Sequence, residues 1–139
     1  IKREYNYRIE AVYRPIHRNY VWSLDCTSLD IDTLHECSKL ILGEHDFTQL
    51  SKKNDEIDNK ICNVFYSDWA IDDFSFIYRI RANRFLHHMV RYLVGVMIEV
   101  SKKHLMTLSD FKSMIDAEER KMIFKAPSKG LYLDTIYYE

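Results

Sequence analysis

The chain has 139 residues, 47% apolar and 29% charged. This is the length and make-up of one ordinary domain, and the scarcity of Gly and Pro, three and two, argues against a disordered chain. Twenty Lys and Arg against 21 Asp and Glu leave a net charge of -1, so no chain-wide positive field marks a nucleic-acid binder. Aromatic residues reach 14%, ten of them Tyr, and composition alone lets them either fill a core or stack on bases.

Residues 3–11 alternate, with Tyr5, Tyr7, Ile9 and Ala11 on one face and Glu4, Asn6, Arg8 and Glu10 on the other. That pattern predicts a half-buried strand. Arg14 to Tyr20 follows as a loop, because the run is polar and Pro15 cannot donate to a ladder. Asp30 is a candidate N-cap for a helix through Leu42, with Leu34, Cys37 or Ser38, and Ile41 as its apolar stripe. Gly43 suits the stop, where positive φ is commonly required. Ser51 to Lys60 carries almost no apolar residue and predicts an exposed loop.

Ile61 to Trp69 predicts a second strand, Asp72-Asp73 a turn, and Phe74 to Ile80 a third strand, the last two forming a hairpin. The longest helix is expected over Phe85 to Lys102. At about 100° per residue, Phe85, Leu86, Met89, Leu93, Val96, Met97 and Val100 share one broad face. His87, Arg91 and Gly95 fall together near the opposite side. Thr107 and Asp110 have capping-box spacing for a short helix with Leu108, Phe111 and Ile115 inward. Lys125 to Gly130 predicts a loop and Leu131 to Tyr138 a final strand. The expected fold class is α+β: a mainly antiparallel sheet with helices packed on one face.

Cys26, Cys37 and Cys62 are odd in number and lack CxxC spacing, which argues against a disulfide framework or zinc ribbon and for a reducing compartment. The longest apolar stretch, Leu93 to Ile98, falls far short of the roughly 20 residues of a membrane span. No signal-peptide pattern is read, and a start at Ile1, directly in a strand pattern, leads us to expect an upstream segment.

Several side chains admit two readings. Arg91, mid-helix beside an apolar face, is either paired with a surface carboxylate or held for function. Tyr5 and Tyr7 point the same way, and alternating strand tyrosines usually end in a core. His87 and His88 diverge by about 100° on a helix and lack an i+4 partner, so no metal is expected. Gly95 costs about 1 kcal/mol relative to Ala in a helix, and either it lets another backbone or another segment approach closely or the cost is tolerated without a role. The basic runs Arg14, His17, Arg18 and Arg120, Lys121, Lys125, Lys129 are either solvated or phosphate contacts.

Four segments together resemble one family. Ile41-Leu42-Gly43-Glu44-His45-Asp46-Phe47 is similar to its LLGEHDF segment. Ala82-Asn83-Arg84-Phe85-Leu86-His87-His88-Met89-Val90-Arg91 with Val94-Gly95 is similar to its NAFLHHMVRNIVG helix. Gly130-Leu131-Tyr132-Leu133 resembles its GLYL strand, and Arg3-Glu4-Tyr5-Asn6-Tyr7 resembles its RxYxY strand. Order and spacing agree across nearly the whole chain. The family is that of tRNA pseudouridine synthase A (TruA), and the resemblance is to its C-terminal half.

The resemblance implies an isomerase that converts uridine to pseudouridine at positions 38 to 40 of the tRNA anticodon stem-loop. It implies a cytoplasmic homodimer that uses no cofactor and no metal. Catalytic roles fall on Tyr5, against the flipped base, and on Arg91, paired with a nucleophilic aspartate. Substrate contacts fall on Leu131 and Leu133, beside the target uridine. His87, on Arg91's side, either contacts substrate or orients a neighbour, and Arg14, Arg18, Lys125 and Lys129 are candidate phosphate contacts. The family's aspartate lies in an RTDAGVHA-like loop upstream of RxYxY. Neither Asp46 nor Asp72-Asp73 matches that loop, so this chain is expected to be inactive alone. A non-catalytic RNA-binding or dimerisation domain of the same fold is the alternative.

Overall fold

The computed structural model describes residues 2–53, 58–117 and 122–138. In chain order they form β1 (Lys2–Glu10), β2 (Trp22–Ser23), α1 (Ile31–Leu40), β3 (Gly43–Asp46), β4 (Ile61–Ile71), β5 (Ser75–Ala82), α2 (Met89–Lys102), α3 (Leu108–Met114) and β6 (Leu131–Tyr137). The sheet runs β2-β1-β5-β4-β3, and β6 also pairs with β1. All pairings are antiparallel except β1 with β2. The architecture is α+β, as expected.

β1 is the centre of the site-bearing half. β5 lies along one edge, with Tyr5 opposite Ile80. The other edge is shared: β6 covers residues 2–7 and β2 meets Ile9 and Glu10. The alternation of β1 buries Tyr7 and Ile9 on the helix side. β4 carries one extra residue between Val64 and Tyr66. The bulge reverses the alternation, so Cys62 and Val64 before it and Trp69 after it all enter the same core.

Asp30 caps α1, its carboxylate accepting from the Asp32 amide at 3.0 Å. Leu34, Cys37, Ser38 and Ile41 are all buried. Gly43 has φ 96, but it opens β3 where only a helix stop was expected. The capping box at Thr107 and Asp110 is present, and Phe111 and Met114 bury the inward face of α3.

The structure corrects three expectations. The long helix begins at Met89, not Phe85, because His88 is left-handed at φ 62 and breaks the helical run. Phe85 to His88 form a turn whose apolar residues happen to fit a helical period. Ser51 is fully buried, so the predicted exposed loop does not begin there; residues 54–57 of that loop lie outside the described residues. β2 and β3 were not predicted, since strands of two and four residues carry too little pattern. No helix among the described residues is long and apolar enough to cross a membrane.

Candidate active site

At the N-terminal half of β1 the sheet, the 85–88 turn, the start of α2 and the 123–130 segment border an open cavity of about 420 Å³. β1 delivers Tyr5 and Arg3 to it, the turn delivers Phe85, α2 delivers Arg91, and Ser128 and Leu131 also line it. Phe85 meets Tyr5 edge-on, with 4.8 Å between ring centroids. Such a contact holds the Tyr5 ring without enclosing its hydroxyl.

Tyr7, two residues on, has a different fate. It is fully buried, and its hydroxyl donates to the Pro127 carbonyl at 2.5 Å. Burial pushes its phenol well above the ordinary tyrosine range, with the nearby Arg91 charge a smaller opposing effect. Tyr7 is therefore structural, while Tyr5 lines the cavity.

Residues 123–130 form a strap pinned at four points. A Cβ on Gly95 would lie 2.2 Å from the Phe124 carbonyl oxygen, so only glycine lets the strap lie this close to α2. The Ala126 amide donates to the Arg91 carbonyl at 3.0 Å. Tyr7 holds Pro127. A Cβ on Gly130 would meet Tyr7 Cζ at 2.7 Å, so a second glycine seats the end of the strap on β1. The close approach expected at Gly95 is thus made by this chain's own backbone.

Arg91 projects from the covered side of α2. Its Nε donates to the Ala126 carbonyl at 2.8 Å, and Nη1 lies 3.3 Å from His88 Nδ1. Both partners are neutral acceptors, and Arg91 makes no ion pair among the described residues. The expected alternative, a surface carboxylate partner, is not what holds it. Burial pulls the His88 imidazole below the ordinary histidine range, and His87, Arg91, Lys125 and Lys52 add to the effect.

The other expected residues divide by position. Leu131 lines the cavity, and Leu133 is the cross-strand partner of Tyr5, half exposed on the same face. His87 lines the cavity and is exposed, but it sits in the turn and not on Arg91's helix. Lys125 lies over the Tyr92 ring at 5.8 Å, and Lys129 is exposed beside Ser128. Arg14 and Arg18 belong to the loop beyond the far end of β1, roughly 17 Å of strand away from Tyr5. The fold does not bring them to this cavity. His17 there pairs with Glu10 at 3.0 Å. Arg120 and Lys121 lie outside the described residues.

No carboxylate lines the cavity among the described residues. The Asp46 carboxylate accepts from the Thr48 amide at 2.9 Å, and Asp72 from the Phe74 and Ser75 amides at 2.9 and 2.8 Å. Both serve turns elsewhere. All three cysteines are free, and burial pushes their thiols up to about 11 to 12, so none is a thiolate nucleophile at neutral pH. No group of three His, Cys, Asp or Glu among the described residues is placed to hold a metal ion.

Sequence reasoning missed Phe85 as a wall, Ser128, and the carbonyls of Ala126 and Pro127. Backbone carbonyls leave no mark in a sequence. Gly95 and Gly130 were the available signals, because both mark close backbone approach.

Comparison with known proteins places the chain among one group of relatives. The family model described as tRNA pseudouridine synthase matches residues 37–139. A tRNA pseudouridine synthase A of Bacteroides fragilis is 31% identical over 138 residues, 98% of this chain and 54% of the relative. One of Staphylococcus aureus is 30% identical over 142 aligned residues, covering 100% of this chain and 52% of the relative. One of Chlorobium limicola is 38% identical over 111 residues, 80% of this chain and 46% of the relative. The chain spans about half the length of the curated relatives it matches.

Proposed function

This chain belongs to the tRNA pseudouridine synthase family, and from that membership we propose that it supplies one wall of a uridine-isomerising site. The target is a uridine of the tRNA anticodon stem-loop, at positions 38 to 40, flipped from its stack into the cavity between this half and an upstream half. The upstream half carries the nucleophilic aspartate. The single observation that carries this reading is the state of Arg91. It lines the cavity, neutral acceptors pin it, and no carboxylate among the described residues compensates its charge.

A guanidinium offers a planar fork that binds a carboxylate bidentately and keeps it ionised. The carboxylate attacks, and the bond between N1 and C1′ breaks. The base rotates, C5 bonds to C1′ as the bond from the carboxylate oxygen to C1′ breaks and frees the carboxylate, and the C5 proton leaves while N1 gains one. Atoms and electrons balance, so the reading calls for no cofactor. Tyr5 gives the base an aromatic wall and a phenol within the cavity for the proton at C5. Leu131 and Leu133, on the same sheet face as Tyr5, provide the apolar wall beside it. His87 contacts the flipped nucleotide at the rim, and Lys125 and Lys129 on the strap contact its flanking phosphates. Arg14 and Arg18 would reach only a more distant part of the tRNA.

Homodimerisation is part of the proposal. Its support is the apolar surface at the end of β6 and just beyond it, where Ile136 is 37% and Tyr138 75% exposed. Sedimentation of the chain should show concentration-dependent association, and a monomer at every concentration would remove this part. The proposed compartment is the cytoplasm, supported by the three free cysteines.

The test is an assay for pseudouridine in tRNA. The purified chain alone should give none, and the full-length protein should give it at the anticodon stem-loop. Turnover by the chain alone would place the nucleophile among its own aspartates. An inactive full-length protein would overturn the reading.

A further inference from the structure

His88 holds a backbone conformation, φ 62 and ψ 6, that residues other than glycine rarely adopt, yet its side chain does not cap α2. The ring is used elsewhere. Its Nδ1 lies 3.3 Å from Arg91 Nη1. Guanidinium nitrogens only donate, so Nδ1 is the acceptor and the ring proton sits on Nε2. The ring itself is held flat. His87 stacks on it with 4.0 Å between centroids, and Tyr92 meets it edge-on at 6.3 Å. The same guanidinium is held at Nε by the Ala126 carbonyl. One contact would leave the guanidinium free to turn, whereas two at different nitrogens fix its plane.

We propose that His88 is a positioning residue. As a neutral acceptor on Nη1 it sets, with the Ala126 carbonyl, the plane of the Arg91 guanidinium, whose remaining donors are thereby presented to a carboxylate. The inference deepens the proposed role of Arg91 and rests on it for its catalytic consequence.

The left-handed backbone is the device that makes this possible. It turns the chain sharply between Leu86 and α2 and brings the ring of residue 88 to a side chain one turn ahead. Besides the Tyr92 phenol from α2, the ionisable groups around the ring are His87 from the same turn, Arg91 from α2, Lys125 from the strap and Lys52 from the segment before β4, each cationic when protonated. A proton on Nδ1 would add another positive charge and remove the acceptor. Protonation of His88 therefore removes the Nη1 contact and leaves Arg91 held by the Ala126 carbonyl at Nε alone.

Two substitutions separate the ring's role from the backbone's. His88→Asn keeps a residue that tolerates left-handed backbone and places an amide oxygen near Nδ1. His88→Gly keeps the backbone and deletes the acceptor. In the 139-residue chain, nitrogen NMR should show His88 protonated on Nε2 alone at neutral pH. The Nη resonances of Arg91 should be resolved in wild type and His88→Asn and averaged in His88→Gly. In the full-length protein, single-turnover rate should stay within about threefold in His88→Asn and fall at least about tenfold in His88→Gly, with tRNA affinity unchanged. The acid limb of the pH–rate profile should disappear in His88→Asn.

A proton on Nδ1, averaged Arg91 resonances in wild type, or a His88→Gly rate equal to wild type would overturn the proposal. So would a loss of tRNA affinity in step with rate, which makes the ring a substrate contact. Should the full-length wild type form no pseudouridine, the functional reading falls while the NMR arm still decides whether His88 orients Arg91.

Discussion

Arg91 and Ala126 are bonded to each other twice: the Ala126 amide donates to the Arg91 carbonyl at 3.0 Å, and Arg91 Nε donates to the Ala126 carbonyl at 2.8 Å. One residue of the strap thus satisfies a main-chain group of α2 and orients the side chain that α2 presents to the cavity. Any change that lifts the strap should reach Arg91 without touching it.

Gly95→Ala is the most direct such change. Alanine would improve intrinsic helix propensity by about 1 kcal/mol. Its Cβ, however, would stand 2.2 Å from a backbone oxygen, which cannot swing aside as a flexible side chain can. The clash should win, with a net loss of about 1–3 kcal/mol in chemical denaturation. Unchanged or raised stability would show that the strap is not seated against α2.

Tyr7→Phe and Tyr5→Phe should separate stability from chemistry. The first removes the donor to the Pro127 carbonyl in a buried setting and should cost about 1–2 kcal/mol. The second removes a hydroxyl at a cavity wall and should leave the unfolding midpoint nearly unchanged while lowering the single-turnover rate of the full-length protein. The reverse pattern would exchange the roles assigned to the two tyrosines.

Arg91→Lys keeps the charge and loses the fork and the Nε contact to Ala126. The single-turnover rate of the full-length protein should fall at least about tenfold, equivalent to about 1.4 kcal/mol, with tRNA binding little changed. Weakened binding with a shallower salt dependence and intact chemistry would make Arg91 a phosphate contact instead.

Asp116 gives a pH dependence of stability. Burial alone would raise its carboxyl, but the Asp46 amide at 2.5 Å and the His45 ring at 2.8 Å outweigh it and hold the group below the usual carboxylate range. A folded value below the unfolded one means that the ionised form is favoured by folding. The stabilisation is fully present above the unfolded carboxylate value of about 3.9 and is lost as pH falls through the folded value. Asp116→Asn should therefore lose more stability at pH 6 than at pH 2 in urea titrations. An equal loss at both would mean that the charge contributes nothing.

Local patterns determined much of this molecule. The alternation of β1 and β5, the Asp30 cap and the Thr107–Asp110 box depend on neighbours within a few residues, and each is legible because its physics is local. The quoted segments also carried the family and named Arg91, Tyr5 and Leu131. What the sequence left open depended on contacts between distant segments. Tyr5 and Tyr7 share a face and a period, and only the Pro127 carbonyl, 120 residues from Tyr7, makes one structural while the other lines the cavity. Phe85 and Leu86 fit a helix until the left-handed backbone at His88 turns them into a cavity wall. Arg14 and Lys129 look alike as basic loop residues, yet the length of β1 sets one apart from the site and the strap places the other beside Ser128. Hydrogen bonds to backbone carbonyls and the path of the strap across Gly95 follow from how α2, β1 and the C-terminal segment pack together, and that packing is a property of the whole fold.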